Sequence, residues 1–207
     1  MSRPTVYTIG HSTHSEAEFL RLLRGAGITA VGDVRSAPYS RWNPQFDREV
    51  LQKTLRGAGI EYVYLGDALG ARTSDASCYD KGVVNYTRLA QTTPFRDGLR
   101  RVMEGAEKFR IALMCAEKEP LECHRTILVA RQLVDAGCEV VHIHADGRLE
   151  PHEAAMLRLA ALLRVETQTQ HMFRSADDLQ SDLYELQERR IAYTQEQTEQ
   201  TETAPAG

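Results

Sequence analysis

Residues 22 to 31 read LLRGAGITAV, and the same pattern returns as TLRGAGIEYV at 54 to 63 and as QLVDAGCEVV at 132 to 141. In each, an amphipathic run closes on an Ala-Gly pair and a short β-branched run follows. Such a glycine can take the left-handed conformation that ends a helix, and the residues after it favour an extended chain. Three copies of a helix-to-strand unit predict an α/β fold: a single domain with a mostly parallel sheet of five or more strands, flanked by helices on both faces.

Working outward, strands are expected at about 5–10, 28–34, 60–65, 110–115 and 139–144. A helix should follow Ser15, which forms a capping box with Glu18. Others are expected at about 46–57, 95–107, 120–136 with Pro120 in its first turn, and 151–164. Residues 66–94 are rich in Gly, Ser, Asp and Thr, and a connection of that length reads as a lid, a binding loop or an unstructured segment. The chain divides into an α/β domain at 1–165, a helical arm at 166–193 and a tail at 194–207 too polar to bury a core. In the arm, Leu179, Leu183 and Leu186 recur at helical intervals, so it packs on the domain or forms a homodimer with a second copy.

The chain has 207 residues, 42% hydrophobic and 26% charged, which is the balance of a globular protein. A net charge of −4 offers no global basic field, so nucleic acid is not indicated as a partner. No run reaches the ~18 apolar residues of a membrane span, and the opening MSRPTVYTIG has no secretion signal. Cysteines 78, 115, 123 and 138 are too few and scattered to staple this chain, and they read as reduced thiols of a cytoplasmic protein.

Ligands of a parallel sheet gather beyond the carboxyl ends of its strands. There this sequence places His11 and Ser12, then Asp33 and Arg35, then Cys115, with His142 and His144 on the last strand. The junction LMCAEKEPLECHR at 113–125 adds Cys123, His124 and Arg125, and DVRSAPYSRWNPQF at 33–46 adds Arg41 and Trp42. Arg35, Arg41 and Arg125, with Ser12 beside them, suit phosphate, sulfate or carboxylate oxygens. Trp42 either stacks a ring of the ligand or, the favoured reading, lids the core. Cys115, closing a strand, is the candidate nucleophile or redox thiol. His11 or His124 then acts as acid or base, with Asp33 orienting a neighbour. Cys123, four residues before Ile127, is expected on the apolar face of its helix.

Whether Cys115 is held as thiolate stays open, because His124 and Arg125 favour the charge and Glu117, Glu119 and Glu122 oppose it. The alternative cofactor reading is a zinc or iron ion on Cys115, Cys123 and His124, with His11 and His142 as further donors. The Cys-x7-Cys-His spacing matches no standard finger. No GxGxxG follows the first strand, and no Walker sequence is present.

The stretches TIGHS (8–12), DVRSAPYSRWNPQF (33–46), GIEYVYLGDALGAR (59–72), LMCAEKEPLECHR (113–125) and VVHIHADGRLEPH (140–152) resemble the family called domain of unknown function 488. The resemblance spans about residues 5–160. It implies a compact α/β domain with His11, Asp33, Arg35, Cys115, Cys123, His124 and Arg125 on motif positions, and it supplies no reaction. Trp42 stands where a second basic residue is common, and Ala71 where a glycine often follows. Residues and resemblance together lead to the expectation of a cytoplasmic thiol-dependent transferase or hydrolase acting on a small anionic, phosphate- or nucleotide-like substrate. The alternatives are a non-catalytic anion or nucleic-acid binding module and a Cys/His metalloprotein.

Overall fold

A computed structural model describes residues 3–165 and 176–195. Its strands are β1 (Thr5–Gly10), β2 (Ala30–Asp33), β3 (Glu61–Tyr64), the short β4 (Tyr79–Asp80) and β5 (Val83–Val84), β6 (Ile111–Cys115), β7 (Glu139–Ile143) and β8 (Leu149–Pro151). The helices are α1 (Glu16–Gly25), α2 (Arg48–Gly57), α3 (Gly66–Leu69), α4 (Tyr86–Gln91), α5 (Thr93–Ala106), α6 (Arg131–Asp135), α7 (His152–Leu163) and α8 (Ala176–Ile191). The main sheet has six strands in the order β3-β2-β6-β1-β7-β8. Its first five are parallel, and β8 returns antiparallel along β7.

The repeated Ala-Gly motif does what its chemistry predicts. Gly27, Gly59 and Gly137 have φ of +67°, +73° and +90°, each ending a helix just before a strand. Successive strand residues face opposite sides, so two cores form. Tyr7, Ile9, Val31 and Met114 meet Phe19, Leu23, Leu51 and Leu55 of α1 and α2 on one face. Val6, Ala30, Leu113 and Val140 meet Phe95, Leu133, Leu159 and Leu183 on the other. Ser15 caps α1 through a hydrogen bond from Glu18 N.

Three regions differ from the sequence-based expectation. Residues 66–94 are built rather than loose: α3, the β4-β5 hairpin and α4 bury Leu69, Cys78, Val84, Tyr86 and Leu89. Each of these pieces is too short to show a periodicity, and tertiary packing stabilises them instead. The antiparallel edge strand β8 lies in a stretch with no strand pattern of its own.

The helix expected over 120–136 is broken. A 3-10 turn at Pro120–Glu122 leads to an extended Cys123 (φ −136°, ψ 141°), and then to a π-helical run at Arg125–Ala130 before α6. Cys123 is therefore off the helix, and its sulfur is not committed to the helix's apolar stripe. Wide helical turns of this kind recur at functional sites.

The C-terminal helix packs on its own domain. Leu183, Tyr184 and Gln187 of α8 are buried. Gln187 Nε2 donates to Leu121 O at 2.8 Å, and Arg131 lies 4.5 Å over the Tyr184 ring. Beyond it, Thr194 bridges Val83 and Gln195 N bonds Gly82 O, so the first two residues assigned to the tail extend the hairpin. The linker at 166–175 and the tail from 196 onward lie outside the described residues. Among the described residues, no helix is long and apolar enough to cross a membrane.

A buried polar chain ties α8 to the sheet. Thr8 Oγ1, His142, His152 and the Tyr184 hydroxyl follow one another at 2.8, 3.0 and 2.6 Å. Burial pushes the His152 ring down to about 4. It also lowers His142, helped by its His152 neighbour. A histidine depressed on folding stabilises the fold fully above its unfolded pKa, and that stability is lost as pH falls through the folded one. Proton uptake by His152 in the unfolded chain should therefore lower stability by up to ~3 kcal/mol as pH falls from about 6.5 to about 4. Urea unfolding across that range measures it, and His152→Gln should flatten the curve. Equal slopes for both proteins would remove His152 from this account.

Candidate functional site

The parallel register brings the strand ends together. Gly10 lies opposite Cys115, and Asp33 opposite Met114, so the residues just past β1, β2 and β6 share one edge. Gly10 is required there by close approach: a Cβ on it would sit 1.9 Å from Glu117 O. Two adjoining clefts open at this edge and share Arg35, Ala37 and Ala116. One, of about 250 Å³, is lined by Arg35, Arg72, Tyr86, Glu117 and the sequence-predicted Cys115, Cys123 and His124, with Glu122, Ile191 and Tyr193 at its margin. The other, of about 370 Å³, is lined by His11, Ser12, Tyr39 and Asn43.

Asp33, the last residue of β2, and Arg35, two residues on, form a buried bidentate pair. Arg35 Nε and Nη2 donate to the two carboxylate oxygens at 2.9 and 2.7 Å, and Tyr62 OH adds a third donor at 2.8 Å. Arg35 Nη2 also donates to Phe46 O, and Nη1 faces His11 Nε2 at 3.2 Å. Because Ser12 O can only accept, His11 Nδ1 must carry the hydrogen at its 2.9 Å contact, and Nε2 then accepts from Arg35. Burial first, and the Arg35 charge with it, holds this ring down at about 4. His11 is thus a neutral prop stacked on Phe46, with ring centroids 4.4 Å apart, and both its nitrogens are engaged. A proton exchange with a ligand would require one of these two contacts to open. Of the five guanidinium hydrogens of Arg35, the described partners take four, leaving one for a ligand.

The sulfurs converge on His124. Its Nδ1 lies 3.7 Å from Cys115 Sγ and 3.8 Å from Cys123 Sγ. Its Nε2 donates to Val34 O at 3.1 Å, which leaves the Nδ1 lone pair aimed between the sulfurs when the ring is neutral. Cys123 Sγ also meets Glu117 Oε2 at 2.8 Å. Burial and the adjacent Cys123 push the Cys115 thiol well up. Burial opposes charge on Cys123 as well, but the hydrogen bond from Cys115 and the Arg125 and His124 charges outweigh it, and its thiol is held low. Partial burial and the adjacent Cys123 raise the Glu117 carboxyl, although its side chain keeps 45% of its surface exposed at the cleft. The two thiols are coupled and share at most one charge between them, with the pull of Arg125 and His124 directed toward Cys123.

Other expected site residues lie elsewhere. Arg125 is fully buried and lines neither cleft, and its Nη1 and Nη2 donate to Glu117 O and Lys118 O at 2.8 and 3.4 Å, so it braces the turn over the sulfurs. Arg41 and Trp42 line neither cleft. The indole is 81% exposed under the Arg41 guanidinium and does not lid the core, because Phe46 from the same loop fills that place. His142 belongs to the buried chain to Tyr184, and His144 pairs with Glu150 at 2.8 Å. The residues that sequence reasoning missed are Arg72, Tyr86 and Tyr193. Arg72 lies inside a quoted motif, but its ring partner Tyr193, 4.6 Å away, comes from far along the chain with no local signal.

The family model described as "Domain of unknown function DUF488" matches residues 15–132, more than half of the chain. The chain belongs to the DUF488 family. The match takes in the DUF488 stretches that carry Asp33, Arg35, Arg72, Cys115, Cys123, His124 and Arg125, and it stops short of the segment that supplies Ile191 and Tyr193. No curated protein and no solved structure matches this DUF488 chain.

Proposed function

We propose that this DUF488 protein is an enzyme of hydrolysis or group transfer acting on a small anionic molecule, phosphate- or carboxylate-bearing, in the cleft over Cys115, Cys123 and His124. The observation that carries the reading is convergence. Segments after β2 and β3 bring Arg35 and Arg72 to the same 250 Å³ space into which the segment after β6 brings two sulfurs, an imidazole and a carboxyl. Clefts that combine convergent polar groups with reactive side chains are the usual home of chemistry. Arg72 is the recruiting cation: it is exposed, stacked on Tyr193, and among the described residues no carboxylate pairs with it. The last hydrogen of Arg35 gives a fixed second contact. Glu117 carries the proton to or from the reacting group. Four buried cysteines without a disulfide suit a reducing compartment, and the cytoplasm is the proposed one.

The test uses two small alkylating reagents that differ in charge. Iodoacetate should modify the cleft sulfurs faster relative to iodoacetamide than it modifies a cysteine peptide, by about tenfold, as one recruited charge would allow. Inorganic phosphate should slow both. Arg72→Ala should return the ratio to that of the peptide. Identical ratios in wild type and variant, with no protection by phosphate, would leave the anion reading without support.

A further inference from the structure

We infer that Cys115, Cys123 and His124 form a three-ligand site for a zinc-type divalent ion, open on its fourth side to the cleft. The inference takes the cleft from the reading above but not its substrate, and it stands on geometry. The two Sγ atoms and Nδ1 all lie within 4.8 Å of one another. Zinc–sulfur and zinc–nitrogen bonds of about 2.3 and 2.0 Å at a tetrahedral angle put sulfur and nitrogen ligands ~3.6 Å apart. The observed separations of 3.7 and 3.8 Å are close to that edge, and the two sulfurs lie within 4.8 Å of each other.

The surroundings are those of a ligand set. His124 Nε2 donates to Val34 O, which fixes the ring and leaves Nδ1, between the sulfurs, to take an ion in exchange for its proton. A backbone or carboxylate acceptor on the far nitrogen is the usual orienting partner of a metal-bound imidazole. Val34 sits at the end of β2, and its N–H bonds Met114 O beside Cys115, so the acceptor and one ligand are held by neighbouring strands. The break before the π-helical run frees Cys123 from helical geometry at the point where its sulfur is needed. Glu117 Oε2, only 2.8 Å from Cys123 Sγ, is too close to that sulfur to complete the tetrahedron at the same time. All three ligands line the cleft, so the fourth position faces it. Two thiolates and one imidazole with an open position is a catalytic rather than a structural donor set, and an ion there would polarise a bound oxygen.

The experiment loads the full chain with zinc and, separately, with cobalt(II), removes free ion by gel filtration and measures metal content and absorption. About one ion per chain is expected, with the thiolate-to-cobalt band in the near ultraviolet and the strong visible bands of a four-coordinate ion. Cys115→Ser and Cys123→Ser should each weaken binding by more than about 100-fold, since even an orienting partner is worth ~10–100-fold. Cys78→Ser and Cys138→Ser should leave it unchanged. X-ray absorption on the zinc-loaded wild-type protein keeps the test decisive if a variant does not fold: two sulfurs at about 2.3 Å and one imidazole nitrogen are expected. Retention of less than about a tenth of an ion, a sulfur count other than two, or undiminished binding in both serine variants would overturn the site. A chain that holds zinc yet shows no anion preference keeps this inference and loses the previous one, and the reverse result does the opposite.

Discussion

Arg125→Leu is expected to lower the unfolding free energy by about 2–4 kcal/mol, because two hydrogen bonds from a charged donor, ~1.5–3 kcal/mol each, are lost and water makes up part of the loss. The guanidinium has no exposed surface, and its donors hold the partly buried carbonyls of Glu117 and Lys118, which leucine would leave without that partner. No side chain at position 10 can take over, because that glycine is pressed against Glu117 O. The turn over Cys115 and Cys123 should therefore loosen as well, and both sulfurs should alkylate faster. Arg125→Lys should recover only part of the loss, since an ammonium cannot reach two carbonyls as a planar fork does. Urea unfolding of the three proteins gives the comparison. A leucine variant within 1 kcal/mol of wild type, a cost typical of ~0.5–1.5 kcal/mol for one net hydrogen bond, would mean that the turn does not depend on this residue.

The second large effect is expected at the Asp33–Arg35 pair, whose side chains are 0% and 5% exposed. Asp33→Ala removes the acceptor of Arg35 N, Nε and Nη2 and of Tyr62 OH, and leaves a buried cation without its counter-charge. A cost of about 3–5 kcal/mol follows. Replacing both partners, as Asp33→Ala with Arg35→Met, should cost less than the sum of the single changes, because no uncompensated charge remains. A double-mutant cycle that came out additive would show the two groups to be independent, contrary to their 2.7 Å contact. Arg35→Met should also free His11 Nε2, whose ring is held down partly by that guanidinium, and so raise its pKa.

Much of the frame was legible because its signals are local. Ala26-Gly27, Ala58-Gly59 and Ala136-Gly137 announce helix ends by composition alone, and all three glycines adopt the left-handed turn. β1, β6 and β7 fall where short β-branched or apolar runs predict them. The membership of the site was legible in part for the same reason: residues that follow parallel strands must share an edge, so Arg35, Cys115, Cys123 and His124 could be assigned to one place. Their division of labour could not be read. Three arginines looked alike as anion forks, yet one braces a turn from the interior, one is locked on a carboxylate, and one lies outside both clefts.

The sequence by itself determined the alternation of helix and strand, the parallel sheet and the edge at which its polar residues gather, because these follow from preferences acting over a few neighbouring residues. Only the tertiary structure decided which of those residues line a shared cleft. It turned Cys123 off its expected helix toward His124, gave both nitrogens of His11 a partner, brought Arg72 to the cleft and stacked it on Tyr193. Exposure, pairing and protonation depend on which distant segments arrive beside a group, and no local pattern encodes that.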